Sequence, residues 1–152
     1  GKEVNQKICD SAISSIFIQN DKTLISNVEG TLFCNVKNKT KWDYSTDDEL
    51  SLVCGIKSDD NDLIFTSTRT DEGSKLFLLD SNNGSEVLTS ETKISIRTSM
   101  GYENMLLLGM NNGKIIILEI DLLLRRLKQK EESGEVDDER KKMLEKLRRL
   151  RK

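Results

Sequence analysis

The sequence contains no histidine and only three cysteines, and these absences exclude many common catalytic and metal centres. Without histidine, no Ser-His-Asp type triad and no imidazole-ligated metal site can form. Cys9, Cys34 and Cys54 are too far apart in sequence for a Cys-x-x-Cys motif, and each lies in an apolar or β-prone stretch. Reduced cysteine behaves there as a small hydrophobe. We therefore expect buried, reduced thiols and a cytoplasmic or nuclear protein.

Phosphate-binding loops and membrane spans are also missing. No glycine-rich phosphate loop occurs, and no apolar run approaches the ~18 residues that a membrane span requires. An acidic cluster, Asp59, Asp60 and Asp62, lacks the central glycine and terminal glutamate of a calcium loop, so we interpret it as a loop tip. We expect no catalytic, cofactor or metal site, no membrane contact and no enzyme activity.

The charged residues divide the chain into two segments. Residues 1–121 contain 12 basic and 19 acidic residues, whereas residues 122–152 contain 12 basic and 7 acidic ones. An acidic body is thus followed by a basic tail. Basic clusters attract phosphate groups or acidic protein surfaces, so the two segments favour different partners.

The body contains three repeats of one pattern: strand, loop, strand, glycine turn, strand. The turn glycines Gly30, Gly73 and Gly113 follow one another at intervals of 43 and 40 residues. Glycine accepts the positive φ that tight hairpin turns need, so the three are predicted to occupy equivalent turns. The units span residues 12–46, 50–90 and 94–120.

The first two units carry a fourth, edge-like strand, in KNKTKWDYST (Lys37–Thr46) and SNNGSEVLTS (Ser81–Ser90), whereas the third unit turns helical after Ile120. Four strands in ~40 to 45 residues is the period of a β-propeller blade. The sequence predicts a mainly β fold. We expect a partial propeller of about three four-stranded antiparallel blades over residues 1–120, followed by a C-terminal helical segment.

Two propeller families resemble these units. GMNNGKIIILEI is similar to the second and third strands of a WD40 blade, with Glu119-Ile120 in place of Trp-Asp. GTLFCNVKNKTKWDY and GSKLFLLDSNNGSEVL are similar to quinoprotein-like blades, in which Trp42 fills the tryptophan position and Leu88 replaces it in the second unit. The resemblance covers about residues 12–120 and leaves both subfamilies open. It places Trp42 between adjacent blades, at the end of a fourth strand.

Three blades do not close a ring, because closed propellers have ~4 to 8 blades. We expect the remaining blades to come from another segment or another subunit, and the terminal sheet faces to be apolar partner surfaces. The sequence therefore favours a non-catalytic protein-interaction scaffold, as a homo- or hetero-oligomer. Two alternatives stay open: a nucleic-acid-associated component of a ribonucleoprotein or chromatin assembly, and a lumenal or periplasmic sensor of quinoprotein-like type.

The basic tail, residues 121–152, has the spacing of two short amphipathic helices. Glu131–Val136 interrupts the apolar pattern, and the acidic residues Asp137–Glu139 and the basic residues Arg148–Lys152 compensate the macrodipole of the second helix at its two ends. The first helix has an apolar face of Leu122, Leu123, Leu124 and Leu127. The candidate partner-binding residues of the second helix are Met143, Leu144, Leu147, Leu150, Arg148 and Arg149.

Three docking modes compete for this tail. A helical hairpin folded back on the end of the propeller ranks first, because Gly134 allows a turn. A partner helix or coiled coil ranks second. Nucleic-acid binding ranks third, because acids such as Glu131 and Glu132 dilute the basic charge and no aromatic residues are interleaved for base stacking.

The leucines of the second tail helix cannot all be covered by a short first helix, so part of the stripe must contact the body or another chain. We predict that Leu147→Asp detaches the tail or dissociates an assembly. Size measurement across a dilution series tests this. A monomer that persists at every dilution, with an unaltered Leu147→Asp variant, would contradict it.

Overall fold

A computed structural model of the chain describes residues 9–59 and 62–129, and within them the fold is mainly β. Eleven strands form three antiparallel sheets. The first sheet contains β1 (Ile13–Gln19), β2 (Lys22–Asn27), β3 (Thr31–Val36) and β4 (Lys39–Ser45). The second contains β5 (Leu50–Ile56), β6 (Leu63–Thr70), β7 (Gly73–Asp80) and β8 (Glu86–Thr92). The third contains β9 (Ile96–Tyr102), β10 (Met105–Met110) and β11 (Ile115–Glu119).

Strands that follow one another in the chain are hydrogen-bonded neighbours within each sheet. This is the topology that short hairpin turns produce. Between β3 and β4, Lys37 and Asn38 both have positive φ, 49° and 63°, as the two-residue type I′ turn requires. The sequence prediction of three strand-rich repeat units is confirmed.

The predicted glycine turns are confirmed at Gly30 and Gly113. Their φ angles are +84° and +80°, and their N–H groups donate to the carbonyls of Asn27 and Met110 three residues earlier. Gly73 differs: it is the first residue of β7 and its φ is not positive. The predicted equivalence is therefore wrong for the conformation of Gly73, whose lack of a side chain instead lets β7 approach the Thr92 carbonyl at the end of β8.

Within the described residues the third sheet has three strands, which confirms the prediction that the third unit turns helical after Ile120 instead of adding a fourth strand. A helix, α1, begins at residue 120 and reaches residue 129, the last described residue. Its apolar residues recur at helical rather than alternating spacing, which explains why no fourth strand follows β11. The chain divides into two compact units between Leu118 and Glu119. The predicted interruption at 131–136 and the second tail helix lie outside the described residues.

The first strands of the three sheets, β1, β5 and β9, lie next to one another. Gln19 on β1 packs its side chain over Gly55 on β5, and the Gly55 carbonyl approaches Gly101 on β9 so closely that a Cβ there would collide with it. This close approach stacks the sheets face to face. The arrangement leaves the second sheet between the other two.

The first sheet packs on the second through a continuous apolar core. Residues paired across the strands of one antiparallel sheet share a face, and Phe17, Leu24, Cys34 and Trp42 form one such row. This row and Leu32 pack against one face of the second sheet. The buried residues of this core are Leu24, Leu32, Cys34, Trp42, Leu50, Ile64, Phe77 and Leu79.

Trp42 is 9% exposed and lies in this core, which confirms that it packs between adjacent blades. It is the fourth residue of β4, so the predicted position at the strand end is wrong. Its indole N–H donates to the Ser81 carbonyl at 3.2 Å, and the Lys22 ammonium donates to the same carbonyl at 2.9 Å. The turn between β7 and β8 is thereby attached to the first sheet.

The opposite face of the second sheet contacts the third sheet. Cys54 on this face forms hydrogen bonds with the Ser99 side chain and the Gly101 backbone of β9. The Lys57 N–H donates to the Glu103 carbonyl at 2.8 Å. The second sheet is therefore covered on both faces, and its strand β6 is buried from Leu63 to Thr68.

Gly30 and Gly113 have nearly the same φ and differ in whether backbone atoms lie close to their Cβ positions. A Cβ at Gly30 would collide with the Thr46 carbonyl after β4, whereas a Cβ at Gly113 has no heavy atom within 4 Å. Asparagine tolerates the left-handed conformation, so only the collision distinguishes the sites. We predict that Gly30→Asn destabilises the fold by about 1–3 kcal/mol and Gly113→Asn by less than about 0.5 kcal/mol. Urea unfolding of both variants measures this, and equal effects would contradict it.

Truncation of Trp42 tests the core between the first two sheets. We predict that Trp42→Ala lowers the free energy of unfolding by about 3 kcal/mol, as large aromatic truncations in cores do. Trp42→Phe keeps an apolar ring and loses the indole donor, while the Ser81 carbonyl still accepts from Lys22. This second variant should cost about 1 kcal/mol in chemical denaturation. A Trp42→Ala variant as stable as Trp42→Phe would show that the ring is not a core element.

Candidate interaction surfaces

The first sheet has an apolar face directed away from the second sheet. On β1, Phe17 packs on the core with the second sheet, and the alternate residues Ile16 and Ile18 lie on the other face. These two are 61% and 69% exposed. Ile16 is paired with Ile25, which is paired with Phe33 on the same face. We call Ile16, Ile18, Ile25 and Phe33 the first outer face.

The third sheet has a corresponding face. Leu106 and Leu108 of β10 are buried on the side that carries Ser99 and Gly101, towards the second sheet. The alternate side carries the pairs Met105–Tyr102 and Leu107–Met100. Met100 and Tyr102 are 54% and 55% exposed. We call Met100, Tyr102, Met105 and Leu107 the last outer face.

A third exposed apolar feature is strand β11. It is the outermost strand of its sheet, and among the described residues no strand pairs with its second edge. Ile115, Ile116 and Ile117 are all exposed, Ile115 to 72% and Ile117 to 61%. We call Ile115–Glu119 the β11 edge.

A second polar group joins the fourth strands of the first two sheets. Tyr44 on β4 donates its hydroxyl to Glu86 Oε1 on β8 at 2.7 Å, and Thr89 donates to Oε2 of the same carboxylate at 2.9 Å. Burial, and secondarily Glu86, raises the pKa of Tyr44, while the hydrogen bond from Tyr44 is the main reason that the pKa of Glu86 is lowered. The ring edge of Tyr44 also contacts Phe77. This group holds two sheets together.

The thiols have the environment of core residues. Cys34 and Cys54 are buried and all three cysteines are free, which confirms the prediction for these two positions, whereas Cys9 is only half-buried. Burial raises the pKa of Cys54 to about 11 and also raises that of Cys34. Both are therefore held as thiols rather than as the thiolate that a nucleophile or metal ligand needs.

The described residues also form an open depression and part of an acidic loop. An open depression of about 580 Å³ lies at the hairpin between β6 and β7, lined by Thr70, Asp71, Glu72, Ser74, Glu91, Thr92 and Lys93. Residues 9–59 and 62–129 contain no group of three or more Cys, Asp or Glu placed to hold a metal ion. Asp59 and Asp62 lie between β5 and β6, and Asp60 is outside the described residues. No helix in the described ranges is long and apolar enough to cross a membrane.

The sequence-predicted partner residues Met143, Leu144, Leu147, Leu150, Arg148 and Arg149 lie outside the described residues. Sequence analysis predicted that apolar terminal faces exist and did not assign their residues. The alternation of residues in AISSIFI indicates that Ile16 and Ile18 share one face of β1. Only the order in which the sheets pack shows that this face is exposed and that the face of Phe17 is covered. The β11 edge was also missed, although a run of three isoleucines with no strand after it is its signal.

No protein-family model matches the sequence, and no curated protein matches it. Solved structures are similar in fold. BamB from Moraxella catarrhalis is 19% identical with a TM-score of 0.57, covering 70% of this chain and 32% of that one. The β-propeller domain of Cps50 (Swd1) from Myceliophteria thermophila is 10% identical with a TM-score of 0.59, covering 78% and 38%. The WD40 domain of Pan2 from Neurospora crassa is 13% identical with a TM-score of 0.57, covering 70% and 32%.

These similarities show the fold: the three sheets are blades of a partial β-propeller. The predicted resemblance is confirmed, and it extends to quinoprotein-like and WD40 propellers alike. The chain spans about a third of the length of the propeller structures it matches.

Proposed function

We propose that this chain is a non-catalytic protein-interaction scaffold, a part of a β-propeller whose ring is completed by further blades packed on its two outer faces. The observation that carries the proposal is the contrast between sheets. The second sheet is covered on both faces, whereas the first and third sheets each expose apolar residues on the face turned away from it.

The residue types on the outer faces support this proposal. Isoleucine, phenylalanine, methionine and leucine predominate there, as leucine, isoleucine and phenylalanine do in the core between the first two sheets. Full burial of a side chain such as Ile16 or Ile18 contributes about 1.5–3 kcal/mol, so an added blade would gain several such contributions at once. Exposed apolar residues that share one face, such as Ile16 with Ile18 and Met100 with Tyr102, are typical of protein partner sites.

The source of the further blades is another segment of the same polypeptide or another subunit. The tail residues predicted for docking would anchor such an assembly, and reduced core thiols favour a cytoplasmic or nuclear setting. Described residues supply no feature that favours the nucleic-acid alternative or the lumenal sensor.

Single substitutions can test whether association depends on the outer faces or on other exposed apolar residues. We predict that the chain self-associates through its uncovered faces as concentration rises, and that Ile18→Asp or Tyr102→Asp weakens this by placing a charge where apolar packing is needed. Sedimentation velocity across a dilution series measures it. Val87→Asp is the matched control, because Val87 is an exposed apolar residue of β8 on neither outer face. A monomer at every concentration, or equal effects of all three variants, would refute the proposal.

A further inference from the structure

Among residues 9–59 and 62–129, the third sheet has no strand in the place where the other two sheets carry a fourth strand. In the first two sheets, Gly30 and Gly73 lie against the carbonyls of Thr46 and Thr92, residues at the ends of the fourth strands. Gly113 occupies the matching hairpin of the third sheet and has no heavy atom within 4 Å of its Cβ position. The same position along β11 is therefore unoccupied.

Four of the five residues of the β11 edge carry neither the charge nor the proline that protects many open strands. Ile115, Ile116, Ile117 and Leu118 follow one another with no charge and no proline. The residues that follow form α1 from residue 120, so they do not fold back as a strand. In the part of the chain that the structure describes, β11 is thus an apolar strand that pairs with β10 on one edge and with no strand on the other.

Backbone groups of this edge are directed outward. The Met110 N–H donates to the Lys114 carbonyl at 2.9 Å, so this carbonyl is directed towards β10. Backbone groups alternate in direction along an antiparallel strand, so Ile115 and Ile117 direct their N–H and C=O groups away from β10. These groups would pair with an added strand.

The fourth strand of the first sheet gives one pattern of residues that fits such a place, and the charges of β11 are complementary to it. β4 carries Trp42 at its centre, with Lys39 and Lys41 before it and Asp43 after it. β11 is preceded by Lys114 and ends at Glu119. In an antiparallel pair, the basic start of a β4-like strand would lie near Glu119 and its acidic end near Lys114, so the charges are complementary.

We propose that the β11 edge accepts, by antiparallel strand addition, an extended segment of a partner protein that is basic at its start, aromatic at its centre and acidic at its end. Main-chain hydrogen bonds supply affinity in this mode, and alternate side chains supply specificity. The edge stays open even when both outer faces are covered, because added strands pair with sheet edges and added blades pack on sheet faces.

The test uses the full chain and a dye-labelled synthetic peptide, KNKTKWDYST, which has the β4 pattern. Fluorescence anisotropy should show saturable binding. Ile117→Pro removes one outward N–H at a position where an edge strand tolerates proline, and should weaken binding at least about tenfold. Ile117→Ala keeps the N–H and is the matched control, expected within about threefold of the unaltered chain.

A peptide with Lys39 and Lys41 replaced by Glu and Asp43 by Lys should bind more weakly. Hydrogen exchange of the unaltered chain gives an independent readout that does not depend on the folding of any variant. The amides of Ile115 and Ile117 should become protected when the peptide is added.

Several results would overturn the proposal. These are absent binding, equal binding to both Ile117 variants, equal binding of the charge-exchanged peptide, and protection at β3 instead of β11. Self-association abolished by Ile117→Pro would identify a second copy as the occupant. Failure of the ring-completion proposal can be distinguished from failure of this one. It would be seen as unchanged self-association of the Ile18→Asp and Tyr102→Asp variants, and peptide binding at β11 would be unaffected.

Discussion

Face-to-face packing of β-sheets determines which residues of this chain are buried. A strand directs alternate side chains to opposite faces, so each sheet needs a neighbour on both sides to bury an apolar set on each. The second sheet meets this condition, and β6 is buried along six consecutive residues, Leu63–Thr68. The first and third sheets have a neighbouring sheet on one side only, so Ile18 and Tyr102 on their other faces are exposed.

Polar contacts then fix how adjacent sheets are placed, because apolar packing alone is non-directional. The Ser81 carbonyl accepts from both Lys22 and Trp42, and Tyr44 on β4 donates to Glu86 on β8. Both contacts join the first sheet to the end of β7 or to β8. They pin the outer strands of one blade to the next, while Gln19, Gly55 and Gly101 bring the first strands together.

The sequence predicted the features that depend on local chemistry. The turns at Gly30 and Gly113 and the repeat of strands follow from residue type and spacing, whereas the burial of Trp42 was implied by the resemblance to quinoprotein-like blades. Features that depend on neighbouring elements were not predictable in this way. Gly73 serves close approach to Thr92 rather than a turn. The covered side of each terminal sheet depends on the packing order.

The outer faces and the β11 edge would be covered by two different kinds of interaction. An apolar face requires any well-shaped apolar surface, whereas an edge requires backbone donors and acceptors at the 4.7–4.9 Å strand spacing, which only another strand provides. Open apolar edges without lysine or proline pair with other chains unless they are covered. Since Ile115–Leu118 carries neither, a strand in that place stabilises the third sheet and also removes a site of uncontrolled association.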